Sequence, residues 1–428
     1  MKLCFIPIFF SLLICVPLSG CGPDNNVDSE PDVYGDDVND VDDDKDVADP
    51  EALHLKFEPI AFEREVTAIT EFGFIPGSDS ELLLTRKDGE VLYFRIVGDT
   101  ATQLGAVNLA GVDDTHDCGL ISMTFDPNFE QNGFVYLGYC VSKGVNVISR
   151  HILDTSDLNL LNESTAEVIR VVNPDAEEFW HNIGSINFDD EGYLWALFGE
   201  NAHGTEAQNQ ERATGSLIRI KPTPDAEGRS WEPAPGNPFI GQSNKHEAIY
   251  AWGLRSPWRG VIDQQGRYWI GDVGAAKYEE INVAAVPGQN FGWPDSEGPC
   301  LQNCEGVSEP IIYWDRSADH PFIFDDPETV PTTRRVSWVG LAYDAPDQTD
   351  RYNNQLDNKV LYGDFCTGWV RTASYDAQTG VTFDASIGHL EGVVAWSTAA
   401  NGYAYVATYG NCATFPYEPG ALYRAVLE

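Results

Sequence analysis

The chain has 428 residues and a formal net charge of −41 at pH 7, from 67 acidic and 26 basic side chains. That charge argues against nucleic acid and anionic membrane surfaces as partners, because both are polyanions. The hydrophobic share of 43%, with 11 Trp, 18 Tyr and 39 Gly, is sufficient for a large folded region.

The first twenty residues have the pattern of a secretory signal: a Lys near the start, an apolar run, and small residues before Cys21. "LSGC" resembles the bacterial lipobox, which implies cleavage before Cys21 and a lipid on its sulfur. Gly22 after the cysteine points to the outer membrane of a two-membrane bacterium. The alternative is a plain secretory signal with an incidental cysteine. We therefore expect a signal peptide over 1–20 and a protein anchored at the cell envelope through that lipid.

Residues 21–52 contain many carboxylates, one Lys and few apolar side chains. Such a segment buries too little surface to offset the entropy of ordering, so the sequence predicts an extended acidic tether. The folded region is then 53–428. No later segment has the roughly 18 uninterrupted apolar residues of a membrane span.

A polar turn followed by an aromatic-rich strand recurs along the folded region. The six copies are "KDGEVLYFRI", "QNGFVYLGYC", "DEGYLWALFG", "QQGRYWIGDV", "LDNKVLYGDF" and "ANGYAYVATY". No single copy can bury its apolar face alone, whereas radially stacked copies bury one another. The pattern predicts an all-β fold, a six-bladed β-propeller, with a β-sandwich as the alternative. The C-terminal "GALYRAVLE" is predicted to pair with "LHLKFEPI" and close the ring.

Six cysteines remain after Cys21, an even number that suggests disulfides in an exported chain. Cys118 and Cys140 lie at nearly equal distances from the turn "PNFEQNG", so antiparallel strands would bring them opposite each other. Cys300 and Cys304 can close a short loop, which leaves Cys366 with Cys412.

The mouth of a propeller's channel is the expected ligand site, and three polar residues fall beside predicted inner strands. His181 precedes "IGSINF", Asp117 precedes "CGLISMTF", and Arg255 lies in "AWGLRSPWRGVI". Each also has a structural interpretation: a capping histidine for His181 and a channel salt bridge for Arg255. His116 and His203 lack partner spacing, and the sequence predicts them as surface residues.

Several stretches resemble, in order, the soluble glucose and aldose sugar dehydrogenases that use pyrroloquinoline quinone (PQQ). The wider family includes sorbosone dehydrogenases and Hedgehog-interacting-protein-like domains. The matching stretches are "HNIGSINF", "GLRSPWR", "YEEIN", "NFGWP" and "LYGDFCTGWV". Members of that family are six-bladed propellers, and the enzymes hold PQQ over the channel mouth with a calcium ion.

The resemblance implies a role for each matched position. His181, in "HNIG", matches the general base that takes the proton of a sugar's anomeric hydroxyl. Arg255 matches an arginine beside the quinone. Gly274 and Ala275 match two carbonyl ligands of the quinone's calcium, and Glu280 matches a ligand of a second, structural calcium. For "YEEIN", which contains Glu280, a solvated acidic turn is the structural alternative.

Other positions depart from the family pattern. Asp117, Glu200 and Ser256 take the places of cofactor or substrate contacts with changed side chains. The stretch "IGHLEGVVAWSTAANG" has no Arg where the glucose enzymes carry quinone-binding arginines. Each lost charged hydrogen bond would weaken binding of a polyanionic quinone by about 1–3 kcal/mol.

The resemblance thus implies PQQ- and calcium-dependent oxidation of an aldose or related sugar, with an electron acceptor as partner. Two other functions stay open: a non-catalytic Hedgehog-interacting-like propeller that binds a glycan or protein, and a calcium-dependent lactonase-type hydrolase. The sequence contains neither a G-x-S-x-G elbow nor a Rossmann G-x-G-x-x-G after a strand, which disfavours a serine hydrolase and a nicotinamide enzyme.

Overall fold

The structure is a computed structural model that describes residues 53–154, 166–223, 230–302, 304–316, 334–344, 349–383, 386–410, 412 and 419–428. The predicted signal peptide (1–20) and acidic tether (21–52) lie outside the described residues. Within them, no helix is both long enough and apolar enough to cross a bilayer.

The described residues are built almost entirely of short strands. In chain order these are β1 Leu55–Phe62, β2 Ile69–Phe74, β3 Glu81–Arg86, β4 Glu90–Val97, β5 Thr100–Asn108, β6 Leu120–Phe125, β7 Phe134–Ser142, β8 Val145–Ile152, β9 Ala166–Val172, β10 Ile183–Phe188, β11 Leu194–Phe198, β12 Ser216–Pro222, β13 Trp231–Pro233, β14 Ile249–Trp252, β15 Pro257–Ile262, β16 Tyr268–Asp272, β17 Tyr278–Ala284, β18 Ile312–Asp315, β19 Ser337–Ala342, β20 Val360–Asp364, β21 Trp369–Asp376, β22 Gly380–Phe383, β23 Gly388–His389, β24 Val393–Thr398, β25 Ala404–Thr408 and β26 Ala421–Leu427. A helix, α1 Phe129–Asn132, and a 3₁₀ turn, Gly204–Gln208, complete the described elements.

The strands form five sheets, so the prediction of an all-β fold is confirmed. Four sheets have four or five strands, in the orders β6-β7-β8-β9, β10-β11-β12-β13 with β14 on β12, β15-β16-β17-β18, and β19-β20-β21-β22 with β23 on β21. The fifth sheet has eight strands in the order β2-β3-β4-β5-β1-β26-β25-β24. Its halves are joined by a parallel β1–β5 pairing of two residue pairs.

The first strands of successive units pack against one another in a closed cycle. Strand β2 contacts β6, β6 contacts β10, β10 contacts β15, β15 contacts β19, β19 contacts β24, and β24 contacts β2. These strands therefore surround a central channel, on which the site described below opens.

Each recurring segment contains a strand at an interior position of its sheet. Strands β7, β11, β16, β20 and β25 are the second strands of their units, whereas β4, in "KDGEVLYFRI", is the third. Strands β11, β16, β20 and β25 are buried along their whole length. Gly192 in the turn before β11 has φ 76°, the left-handed conformation that this tight turn requires.

The C-terminal strand closes the sheet as predicted. Strand β26 pairs antiparallel with β1, from Leu55 opposite Leu427 to Ile60 opposite Leu422. The two ends of the folded region are thereby held together, which removes two exposed sheet edges.

All three predicted disulfides are present. Cys118 pairs with Cys140, Cys300 with Cys304, and Cys366 with Cys412. The first and third cross-links lie beside the channel mouth, because Asp117 and both Cys366 and Cys412 line the cavity there.

His151 gives the fold a testable pH dependence. Burial lowers the pKa of this imidazole to about 4, and its Nε2 lies 2.7 Å from the hydroxyl of Ser149. Because the unfolded chain has a histidine pKa of about 6.5, the unfolded state binds the extra proton first as the pH falls. Stability from this group is therefore present above pH 6.5 and lost as the pH falls towards 4.

We expect the free energy of unfolding of the wild type to fall by about 2 kcal/mol more between pH 7 and pH 4.5 than that of His151→Gln. Urea titrations at the two pH values measure this difference. Equal pH slopes for the two proteins would contradict it.

Candidate active site

A cavity of about 430 Å³ opens where the inner strands meet. Apolar residues on five of those strands line it: Ile69, Ile121, Ile183, Pro257 and Val394. Polar side chains from the connecting loops complete the lining, among them His116, Asp117, His181 and Ser256. The structure thus brings three of the predicted site residues, His181, Asp117 and Ser256, to one cavity.

His181 is oriented by a buried carboxylate. Its Nδ1 lies 2.9 Å from Glu200 Oε1, and the two side chains are 11% and 3% exposed. The other Glu200 oxygen accepts the backbone N–H of His203 at 3.0 Å. A carboxylate at Nδ1 favours the proton on that nitrogen, which leaves the Nε2 lone pair available as a base.

The backbone at His181 is held in an unusual conformation. Its φ is 55°, in the left-handed region that a non-glycine residue seldom adopts. The carbonyl of His181 accepts the side-chain amide and the backbone N–H of Asn201, each at 3.1 Å. Its N–H lies 3.5 Å from Asp117 Oδ2. These contacts fix the imidazole before any ligand binds.

Gly199 makes this arrangement possible by close backbone approach. A Cβ at this position would lie 2.4 Å from the His181 carbonyl oxygen and 2.9 Å from His181 Cβ. The backbone would have to move, and His181 would move with it.

We therefore expect Gly199→Ala to lower the free energy of unfolding by about 3 kcal/mol and to impair turnover. The control is Gly98→Ala, where a Cβ meets no atom within 4 Å. Its positive φ alone costs about 1 kcal/mol. Urea unfolding and initial rates of both variants test the prediction; wild-type turnover in Gly199→Ala would contradict it.

Arg255 is absent from the lining of the cavity. Its guanidinium donates from Nη1 to the carbonyls of Val273 and Gly274, at 2.8 Å each, and lies 5.4 Å from the ring centre of Trp293. The backbone N–H groups of Arg255 and Ser256 donate to the Asp272 carboxylate at 2.9 and 2.7 Å. Arg255 is therefore held by the carbonyls of Val273 and Gly274 and does not line the cavity that His181 lines.

The predicted calcium ligands lie on the strand and loop beyond Arg255. The Gly274 carbonyl accepts the Arg255 guanidinium, and the Ala275 N–H donates to Glu297 Oε1 at 2.7 Å. Glu280 is buried, and its carboxylate accepts the backbone N–H of Gly298 and the side-chain amide of Asn282. None of the three lines the cavity.

Glu280 pairs across the sheet with Asp272. Burial, chiefly, raises the pKa of both carboxyl groups, and the nearby Asp272 charge raises the pKa of Glu280 further. Among the residues that the structure describes, no group of three or more His, Cys, Asp and Glu side chains forms a metal cluster.

None of the lysine and arginine side chains that line the cavity was singled out from the sequence. The described lining contains Lys87, Arg259, Arg316, Arg334 and Arg335, against a single carboxylate, Asp117. Arg316 and the Arg334–Arg335 pair flank a segment between β18 and β19 that matches none of the quoted family stretches. In a chain with 26 basic and 67 acidic residues, such a lining is unusually rich in basic side chains. Carboxylates outside the lining face several of them, among them Glu71 at Arg259 and Glu279 at Arg316.

These cations are held close together at an energetic cost. Burial lowers the pKa of Arg316, and the neighbouring charges of Arg255 and Arg335 lower it further. Burial also lowers the pKa of Arg335 and of Lys87. Arg316 is paired with the buried carboxylate of Glu279, and Arg334 donates to the Cys412 carbonyl at 3.1 Å. Nearby carboxylates act in the opposite direction, since Asp364 raises the pKa of Arg316 and Arg335 and the charges of Asp114 and Asp117 raise that of Lys87. A bound anion would relieve the repulsion that Arg316 receives from Arg255 and Arg335.

A buried ion pair separates this cavity from a second one in the channel. Arg259 lines both cavities and donates to Glu71 at 3.3 Å and to the carbonyl of Ile121. Burial raises the pKa of Glu71 to about 7. The pair closes one end of the site and leaves its loop-lined end as the entrance.

His116 was predicted as a surface residue. It is exposed, as expected, yet it also lines the cavity, with φ 52°. The order of residues along the chain gave no signal of this, because the position depends on contact between the loops before β6 and β10.

The chain is similar to known sugar dehydrogenases. A family model described as "Glucose / Sorbosone dehydrogenase" matches residues 70–323. Aldose sugar dehydrogenase YliI of Escherichia coli (strain K12) is 24% identical over 299 residues, which are 63% of this chain and 74% of that protein. HIPL1 protein of Arabidopsis thaliana is 24% identical over 327 residues, 57% of this chain but only 47% of that protein.

A solved structure of similar shape is the PQQ-bound form of an aldose sugar dehydrogenase from Streptomyces coelicolor. Its TM-score is 0.66 at 19% identity, with 89% of this chain and 100% of that chain covered. At that identity the likeness shows a shared fold.

Proposed function

Because the chain belongs to the glucose/sorbosone dehydrogenase family, we propose that it oxidises a sugar with pyrroloquinoline quinone, using His181 as the general base. The observation that carries the proposal is the His181–Glu200 pair at a cavity lined by five cations. An aldose or a related sugar with an oxidisable hydroxyl is the proposed substrate, and a separate electron acceptor is the proposed partner.

The residues of the cavity fit the quinone. PQQ is a flat tricarboxylate, and Lys87, Arg316, Arg334 and Arg335 offer donors that suit carboxylates. These cations come from segments other than the last unit, in which the resemblance implied lost arginines. They support quinone binding by a different set of side chains. When bound, the quinone would accept the two electrons that leave the sugar as hydride.

Side chains of the protein accept the proton that the sugar loses on oxidation. The anomeric hydroxyl gives its proton to Nε2 of His181 while the C1 hydride leaves with its electron pair, so the sugar becomes a lactone. Glu200 stabilises the imidazolium through Nδ1 at 2.9 Å. Asp117 lines the cavity beside His181, and its carboxylate would accept a hydrogen bond from a sugar hydroxyl.

We propose that the fold is a propeller of six blades. Six inner strands contact one another in a cycle, and the eight-stranded sheet divides at the two-residue β1–β5 pairing into two units of four. An experimental structure with another number of inner strands around the channel would overturn the count.

Calcium is proposed only at Glu280. The Gly274 carbonyl already accepts the Arg255 guanidinium, so a calcium ion does not fit there without moving that cation. Glu280 and Asp272 are two adjoining buried carboxylates whose repulsion a divalent cation would relieve. The donors that they now accept are neutral backbone and amide N–H groups, which a calcium ion would replace without moving a cation.

Addition of calcium to chelator-treated protein is therefore expected to raise Tm, because binding to the folded state stabilises it. The rise is expected to disappear in Glu280→Gln. An exposed carboxylate variant, Glu232→Gln, serves as the control. No change of Tm in the wild type would remove calcium from the proposal.

The direct experiment is dye reduction by a panel of aldoses, after PQQ is added to the purified protein. We expect sugar-dependent reduction that needs PQQ. Its absence across the panel, together with no rise of Tm on adding PQQ, would contradict the proposal and favour a non-catalytic binding protein.

A further inference from the structure

Trp180 is the one exposed tryptophan of the chain. All 11 tryptophans lie in described residues, and the other ten are buried or partly buried. Trp180 is 46% exposed. The indole immediately precedes His181, so it stands next to the proposed base rather than on a remote surface.

The exposed indole belongs to a small cluster at the cavity entrance. The Trp180 ring packs edge-on against His116, with 6.0 Å between ring centres, and the rings of Phe179 and His116 are 6.4 Å apart. His116 lines the cavity, whereas Trp180 does not. We call Phe179, Trp180 and His116 the aromatic rim. Through His116, the rim adjoins the cavity lining.

The segment that carries the rim is firmly held. The Asn182 side chain donates to the Phe179 carbonyl at 2.7 Å, and the carbonyl of His181 accepts two hydrogen bonds from Asn201. The exposure of Trp180 is thus part of a fixed loop conformation. A rigid indole that is apolar on its faces and partly in water is typical of a binding surface.

Sugar rings match this surface chemically. One face of a pyranose presents C–H groups that stack on an indole, while its hydroxyls need acceptors at the edge. Two exposed carboxylates, Glu178 and Glu177, lie two and three positions before Trp180 in the chain. An exposed apolar ring with carboxylates on the same loop suits a sugar ring better than it suits an anionic ligand.

We propose that the aromatic rim binds the second ring of a di- or oligosaccharide, whose first ring enters the cavity beside His181. This inference rests on the proposed function and deepens it, because it names the substrate class as an extended saccharide. Trp180 acts in specificity, since it contacts the cavity residue His116 but does not line the cavity itself.

Steady-state kinetics of the PQQ-loaded enzyme test the specificity. The probes are glucose and the reducing disaccharides cellobiose and maltose. In Trp180→Ala we expect the ratio of kcat/KM for the preferred disaccharide to that for glucose to fall about tenfold, through KM. Trp180→Phe, which keeps an aromatic face, is expected to retain most of the ratio.

The matched control is Ile240→Ala, because Ile240 is 45% exposed and does not line the cavity. It is expected to keep the wild-type ratio. An unchanged ratio in Trp180→Ala, with sugars still oxidised, would contradict binding of a second sugar ring by the aromatic rim. It would leave the proposed function unaffected.

A binding experiment without cofactor or turnover separates the two proposals. Methyl β-cellobioside and methyl α-maltoside have no free anomeric hydroxyl and cannot be oxidised there, so their binding is followed by calorimetry. If the wild type binds these glycosides and Trp180→Ala does not, the result supports sugar binding at the aromatic rim even if no sugar is oxidised. Equal binding to both proteins, or none to either, overturns it.

Discussion

Replacement of His181 by alanine is expected to lower kcat for sugar oxidation by about 10²–10⁴-fold, the usual contribution of a general base. The affinity for PQQ is expected to stay near the wild-type value, because the imidazole handles the substrate proton and the cations hold the carboxylates. Initial rates with saturating PQQ, together with a PQQ titration of the variant, measure both quantities.

The control for this prediction is His246→Ala, since the His246 ring stacks on Trp231 and does not line the cavity. Glu200→Gln provides a second comparison. It keeps the size of the side chain and removes the charge at Nδ1, so we expect a smaller loss of about tenfold in kcat with KM little changed. Wild-type kcat in His181→Ala would refute the assignment of the base.

Replacement of Arg334 by glutamine is expected to raise the Kd for PQQ by about 10–150-fold, since a hydrogen bond to a charged group contributes about 1.5–3 kcal/mol. Arg334 is chosen because it is the exposed arginine of the described cavity lining. Arg316 is unsuitable, because it pairs with the buried Glu279. Equilibrium dialysis of PQQ gives the Kd.

Arg64→Gln is the matched control, because Arg64 is an exposed arginine bonded to Gln103 and lies outside the cavity lining. Its Kd for PQQ is expected to equal that of the wild type. Raised salt is expected to weaken PQQ binding to the wild type more than to Arg334→Gln. If Arg334→Gln binds PQQ as tightly as Arg64→Gln does, the cations do not serve the quinone.

The strands were predictable because their signal is local. Alternating and aromatic-rich runs next to glycine turns, such as "DEGYLWALFG", specify a buried strand without knowledge of the rest of the chain. The disulfide Cys118–Cys140 followed from the same logic of antiparallel pairing. The first recurring segment supplies the third strand of its unit and the other five supply second strands, a difference on which the sequence pattern made no prediction.

The site was predictable only in part, because its geometry comes from loops of different units. The position of His181 beside an inner strand followed from the pattern, whereas its partner Glu200 was predicted as a cofactor contact and lies behind the imidazole. Arg255 was expected at the ligand and is turned towards the carbonyls of Val273 and Gly274. Arg334 and Arg335 had no recognisable motif, since only the fold returns their segment to the channel mouth.

The measurement that tests the central claim most directly is a calorimetric titration of the purified wild-type protein with PQQ. The arrangement of the cavity predicts saturable binding of one PQQ per chain, weakened by salt and by Arg334→Gln. An absence of binding heat, with no change in Tm at millimolar PQQ, would contradict the assignment of this cavity as a quinone and sugar site.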